Sequence, residues 1–106
     1  MALFALMQAD ARTIIAPSEL GLETRAAFRE AAVAELEQLS EGGMLMVDLG
    51  GTNKVDSAGL SALMLIQRSA EGRRQRVVLK NPSEEIRYLL ALTELTDLFV
   101  LEPKPA

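Results

Sequence analysis

The sequence predicts an α/β layer fold, a mixed sheet of four or five strands with about three main helices packed against it. Three observations lead there. Residues 44–49 form an apolar run broken only by Asp48, the pattern of a strand covered on both faces, and residues 77–79 form a second, shorter one. Residues 22–39, 58–70 and 83–93 have the composition and spacing of helices. The two kinds of segment alternate along the chain, so the strands and helices belong to layers of one core.

Taken in order, residues 3–8 read as a first strand, Asp10 and Ala11 as a turn, and residues 12–16 as its antiparallel neighbour. Pro17-Ser18-Glu19-Leu20-Gly21 breaks the pattern. In the first helix Phe28, Ala32, Leu36 and Leu39 share one face, while Arg25, Arg29, Glu30 and Glu37 can face water. Glu23 near its start suits the helix dipole, and Gly42-Gly43 ends it where a left-handed cap is often needed. After the central strand, residues 50–54 form a loop. Its Gly50-Gly51 pair lacks the Gly-x4-Gly-Lys-Ser/Thr pattern of a phosphate cradle. The second helix carries Leu60, Leu63, Met64, Leu65 and Ile66 on most of its sides, so it should be largely buried, with its methionine in the core. Arg68, Arg73, Arg74 and Arg76 lie toward and beyond its end, where cations complement the dipole. Pro82-Ser83 opens the third helix with Glu84 and Glu85 in its first turn, and Ile86, Leu89, Leu90 and Thr93 share a face. Residues 98–101 form a last strand and residues 102–106 a frayed tail. No repeat or long linker divides the 106 residues, so one domain is expected over 1–106.

Composition excludes several function classes. Hydrophobic residues make up 49% and charged residues 25%, ordinary for a globular protein. The net charge of −4 with interspersed signs gives no electrostatic case for nucleic acid. Phe4, Phe28, Tyr88 and Phe99 are too scattered to stack bases. With no Cys and no His there is no thiolate nucleophile, no Ser-His-Asp triad and no Cys- or His-ligated metal site. A serine nucleophile would have to use Lys54, Lys80, Lys104 or the N-terminal amine as its base, and the expectation is a protein that is not an enzyme and needs no cofactor. Residues 1–7 are apolar but too short to span a membrane and lack the basic region of a signal peptide, so a cytoplasmic protein is expected. They could offer an edge for dimerisation, although pairing within the sheet explains them as well.

The chemistry concentrates in Val55-Asp56-Ser57-Ala58-Gly59-Leu60, at the passage from loop to second helix. Asp56 or Ser57 can accept from the free N–H groups of the first helical turn, and Gly59 allows close approach of another backbone. A hydroxyl at a helix N-terminus also sits where negative charge is favoured, so Ser57 is placed to carry a phosphate as well as to act as a cap. Beyond the carboxyl end of a central strand is where such sheets bind ligands and partners. Other polar residues have plainer roles. Asp48 reads as a strand-end carboxylate bonded to a neighbouring loop rather than a metal ligand, Ser61 and Ser69 as helix-surface or packing residues rather than phosphosites, and Ser83 as a cap.

From residue 13 to 101 the chain resembles a STAS domain, the family named for sulfate transporters and anti-sigma factor antagonists. The resemblance is carried by Met46-Val47-Asp48-Leu49 followed by the Asp56-Ser57-Ala58-Gly59-Leu60 helix start, by Ser18-Glu19-Leu20, which is similar to the family's Gly-Glu-Leu corner, and by residues 89–99. It implies a bacterial regulatory module that works by binding. Ser57 inherits the role of phosphoacceptor, and Asp56, Ser57, Ala58, Gly59, Glu19 and Leu20 become the candidate partner-binding residues. The implied partners are a serine kinase that is also an anti-sigma factor, bound by the unphosphorylated form, and a phosphatase that resets the switch. Three departures stand out: Gly21 where many antagonists have Asp, Thr52 and Lys54 where the family often keeps apolar residues, and Ala58 where a second serine is common. The Val-Asp-(Ser/Thr)-Ala-Gly-Leu variant also resembles STAS subunits of phospholipid-transport ABC systems, which dock on the ATPase, so the alternative expectation is a constitutive docking subunit of such a system or of a sensory complex.

Overall fold

The structure, a computed structural model, describes residues 10–103. Four parallel strands, β1 (Ala11–Ile15), β3 (Met44–Asp48), β5 (Arg76–Lys80) and β6 (Val100–Glu102), lie side by side in that order. Each consecutive pair is joined through a helix: α1 (Arg25–Gln38), α2 (Ser57–Gly72) and α3 (Glu84–Leu92). A second, two-stranded parallel sheet pairs β2 (Glu19–Leu20) with β4 (Lys54–Val55). The antiparallel partner expected at residues 3–8 lies outside the described residues, as do residues 104–106 of the expected tail. β6 runs through Glu102, which is aligned with Lys80, one residue into that expected tail.

Register explains the core. Leu45 is aligned with Val77, and Val47 with Leu79, and aligned residues of neighbouring strands project from the same face. Leu101 extends this row beside Leu79. Against it pack Phe28, Ala32 and Leu36 of α1, Leu60, Leu63, Ile66 and Ala70 of α2, and Ile86 and Leu90 of α3. Burying a large aliphatic side chain contributes roughly 1.5–3 kcal/mol, so this face of the sheet dominates the stability.

The helices differ from expectation at informative points. α1 begins at Arg25 rather than residue 22, because Gly21 to Thr24 form a turn in which Thr24 and Arg25 N–H both donate to the Gly21 carbonyl. Glu23 therefore precedes the helix. Its far end is closed by a side chain the sequence did not announce. Gln75, at 6% exposure, donates its amide to the carbonyls of Leu36 at 2.9 Å and Leu39 at 2.8 Å. Leu36 also accepts from Leu39 N–H, so the Leu39 carbonyl is the one that depends on this side chain. Gly42 is left-handed (φ 87°), but it sits in the turn after the helix. α2 is less covered than expected. Met64 and Leu65 are 37% and 38% exposed, because the sheet and α1 cover only two of its sides. Met64 is thus not a core residue. Ser83 caps α3, as its position suggested, by accepting from Ile86 N–H at 3.1 Å.

Candidate functional site

The site is built where the small sheet meets the start of α2. β3 ends at Asp48, whose carboxylate accepts from Gly50 N–H at 2.8 Å and turns the chain, the local role expected of it. The loop is then tied to the corner after β1. Thr52, only 3% exposed, donates its hydroxyl to the Pro17 carbonyl at 2.9 Å, and Asn53 N–H donates to the Ser18 carbonyl at 2.7 Å. A polar residue thus serves where an apolar one is usual, because its only donor is satisfied. These ties align Glu19 with Lys54 and Leu20 with Val55.

From β4 the chain passes directly into α2 through Asp56, the N-cap. One carboxylate oxygen accepts from Gly59 N–H at 2.9 Å, and the other from Leu22 N–H at 3.3 Å. The Gly59 bond holds the Asp56 carboxyl below its ordinary range, opposed by partial desolvation and aided by the Leu22 and Ala58 amides and by Lys54. Asp56 is therefore an anion at neutral pH. It has room for both bonds because residue 21 is glycine, where a Cβ would collide with its carboxylate. Gly59 in turn lies against the Leu20 carbonyl and the Val55 side chain.

Ser57 opens α2 and is exposed. Capping falls to Asp56, so the Ser57 hydroxyl is left without a hydrogen bond among the described residues. The two residues that could each have been the cap have separate roles. Glu19 is exposed nearby, whereas Leu20 is completely buried and Gly59 is buried beneath it. Leu20 and Gly59 thus shape the corner from inside, and Glu19, Asp56, Ser57 and part of Ala58 form its surface. Thr24 locks the corner by donating to the Glu19 carbonyl at 2.8 Å and accepting from Gly21 N–H at 3.0 Å. No motif singled it out; a Thr just before a helix was the one available signal. An open cavity of about 480 Å³ lies beside the corner, with Glu19, Glu23, Lys54 and Asp56 on its walls. Among the described residues no group of three or more His, Cys, Asp or Glu is arranged to hold a metal ion. Nor is any described helix long and apolar enough to cross a membrane.

The second crossover helix of the parallel sheet thus opens on an exposed serine beside an aspartate cap. The chain belongs to the STAS family: residues 4–102 match the family described as "Mlab, STAS domain". Solved structures agree on the fold. The chain is similar to the unphosphorylated anti-sigma factor antagonist SpoIIAA, with a TM-score of 0.72 and 17% identity over 92% of this chain and 84% of that one. A putative anti-sigma factor antagonist from Thermotoga maritima gives 0.70 and 22% over 84% and 77%. The murine Slc26a9 anion transporter gives 0.76 and 18%, with 92% of this chain matching 17% of the transporter. No curated protein matches the chain in sequence.

Proposed function

We propose that the protein is a non-enzymatic, phospho-regulated binding module, and that phosphorylation of Ser57 switches it off its partner. The observation that carries this reading is the exposed, unbonded Ser57 hydroxyl on the first turn of α2, next to a capping carboxylate already committed to two backbone amides. A phosphate there gains from the helix N-terminus and adds about −1.5 to −2 charges beside Asp56. A partner packed on this surface must desolvate that charge. A coupling of ~1–3 kcal/mol, about 5–150-fold in affinity, is enough for regulation without a change of shape. The likeness to anti-sigma factor antagonists suggests as partner a serine kinase that is also an anti-sigma factor, with a phosphatase to reset the switch.

A second reading is favoured by the family description and by Ala58 in the Val-Asp-Ser-Ala-Gly-Leu stretch: a constitutive docking subunit on the ATPase of a phospholipid-transport system. Affinity capture from the native lysate with wild-type, Ser57→Ala and Ser57→Asp baits separates the two. A kinase held by the first two and lost by the third supports the switch, provided all three baits show the same circular dichroism. An ABC ATPase held equally by all three supports docking.

A further inference from the structure

A second feature adjoins Ser57 on the other side of α2. A groove of about 240 Å³ runs between α1 and α2, with Arg25 and Arg29 on one wall and Ala58, Ser61 and Leu65 on the other. The two arginines are one helical turn apart, so both guanidinium groups reach the same stretch of groove. The seam between these helices treats charge differently at its two ends. At the C-terminal end of α1, Glu37 pairs with Arg73, which follows α2, at 3.5 Å. At the N-terminal end, neither Arg25 nor Arg29 has a carboxylate within ion-pair distance among the described residues. The α2 wall cannot supply one, because its residues are small, apolar or hydroxylic.

We infer that this groove receives an acidic amphipathic segment of a protein partner, with its carboxylates on Arg25 and Arg29 and its apolar side chains on Ala58 and Leu65. Arginine favours this chemistry because its planar fork can hold a carboxylate through two parallel bonds. The apolar wall is available, since Leu65 is 38% exposed. The inference rests on reading this face as partner-binding, and it deepens that reading. The groove begins at Ala58, so a phosphate on Ser57 would sit at its mouth and repel the acidic segment. The occupant does not itself depend on phosphorylation.

The test is a titration of the isotope-labelled, full 106-residue protein with a blocked helical peptide of Glu, Ala and Leu, and with a twin carrying Lys for Glu. The acidic peptide should shift the Arg25 and Arg29 side-chain N–H signals and the amides of Ser61 and Leu65. The double variant Arg25→Glu/Arg29→Glu should weaken its binding about tenfold or more, while Arg76→Glu, on the exposed start of β5, leaves it unchanged. Absence of binding, equal binding by the lysine twin, or an unchanged affinity in the double variant overturns the groove assignment. None of these outcomes bears on whether Ser57→Asp releases the captured partner, so the two readings fail separately.

Discussion

Gly59 lies directly against the main-chain carbonyl of Leu20, so closely that a Cβ on residue 59 would overlap that oxygen. This contact joins the small sheet to the start of α2. It also limits the sequence at a position that the Ser57 motif alone would explain only as part of a signature. The carbonyl is not free to move, because it also accepts from Asp56 N–H at 3.3 Å.

Gly59→Ala should therefore destabilise the fold by about 1–3 kcal/mol, the range for forcing a methyl into a packed interior. Chemical denaturation would measure it. The same change should loosen the Asp56 cap, visible as faster amide exchange at Gly59 and Leu60. A stability equal to wild type would mean that β2 can retreat from α2 at no cost.

Gln75 gives a prediction with a built-in contrast. Its amide donates to Leu36, Leu39 and, at 3.3 Å, Ser40 carbonyls, linking the end of α1 to the start of β5. Gln75→Ala leaves the Leu39 carbonyl without a donor among the described residues, while Leu36 and Ser40 keep the N–H groups of Leu39 and Gly43, and it should cost about 1–3 kcal/mol. Gln75→Glu is nearly the same shape but turns an anion toward carbonyl oxygens, so it should cost more than alanine at neutral pH and recover as the carboxyl is protonated. Urea titrations at two pH values distinguish them.

These two residues show how unevenly the fold was legible in the sequence. The three helices and the central strands were readable because their apolar residues recur at the periods of the structures they form. The β2–β4 pair was not, since two-residue strands such as Lys54–Val55 carry no period at all. Gln75 was silent for a similar reason: its partners are 35 or more positions away in the chain. At the site, Asp56 and Ser57 were legible as a helix start, but which of them caps was decided only by geometry. The exposure of Met64 and Leu65 also could not be read, because an apolar side chain signals burial without saying whether a neighbour is there to provide it.

Asp56 makes a prediction about pH. Its carboxyl is held below the ordinary value of 3.8, chiefly by the Gly59 N–H bond. A lowered folded pKa means that the unfolded chain binds the proton more readily, so stability rises with pH through this window. The contribution is fully present above the unfolded value and disappears as pH falls through the folded one. Asn preserves the capping geometry but cannot titrate. Asp56→Asn should thus be less stable than wild type at neutral pH, with the difference shrinking below about pH 3.8 as acid protonates the wild-type carboxyl. A constant difference across that range would show that the charge contributes nothing.

Gly21 bears on the same carboxylate from the other side. A Cβ at residue 21 would meet the Asp56 side chain, which is held in place by Gly59 and Leu22 N–H. Gly21→Ala should displace it and forfeit part of the cap, costing about 0.5–2 kcal/mol, the usual range for a lost N-cap. Gly21→Asp restores the residue many antagonists carry, but here it adds a second negative charge against the first. Like charges disfavour ionisation of either group, so the Asp56 pKa should rise relative to wild type. The Asp variant should accordingly be less stable than the Ala variant at neutral pH and approach it in acid. Carboxyl NMR titration of both variants, read beside their denaturation curves, tests this ordering. If the two are equally stable at every pH, Gly21 serves only to make room, and the charge of Asp56 plays no part in that constraint.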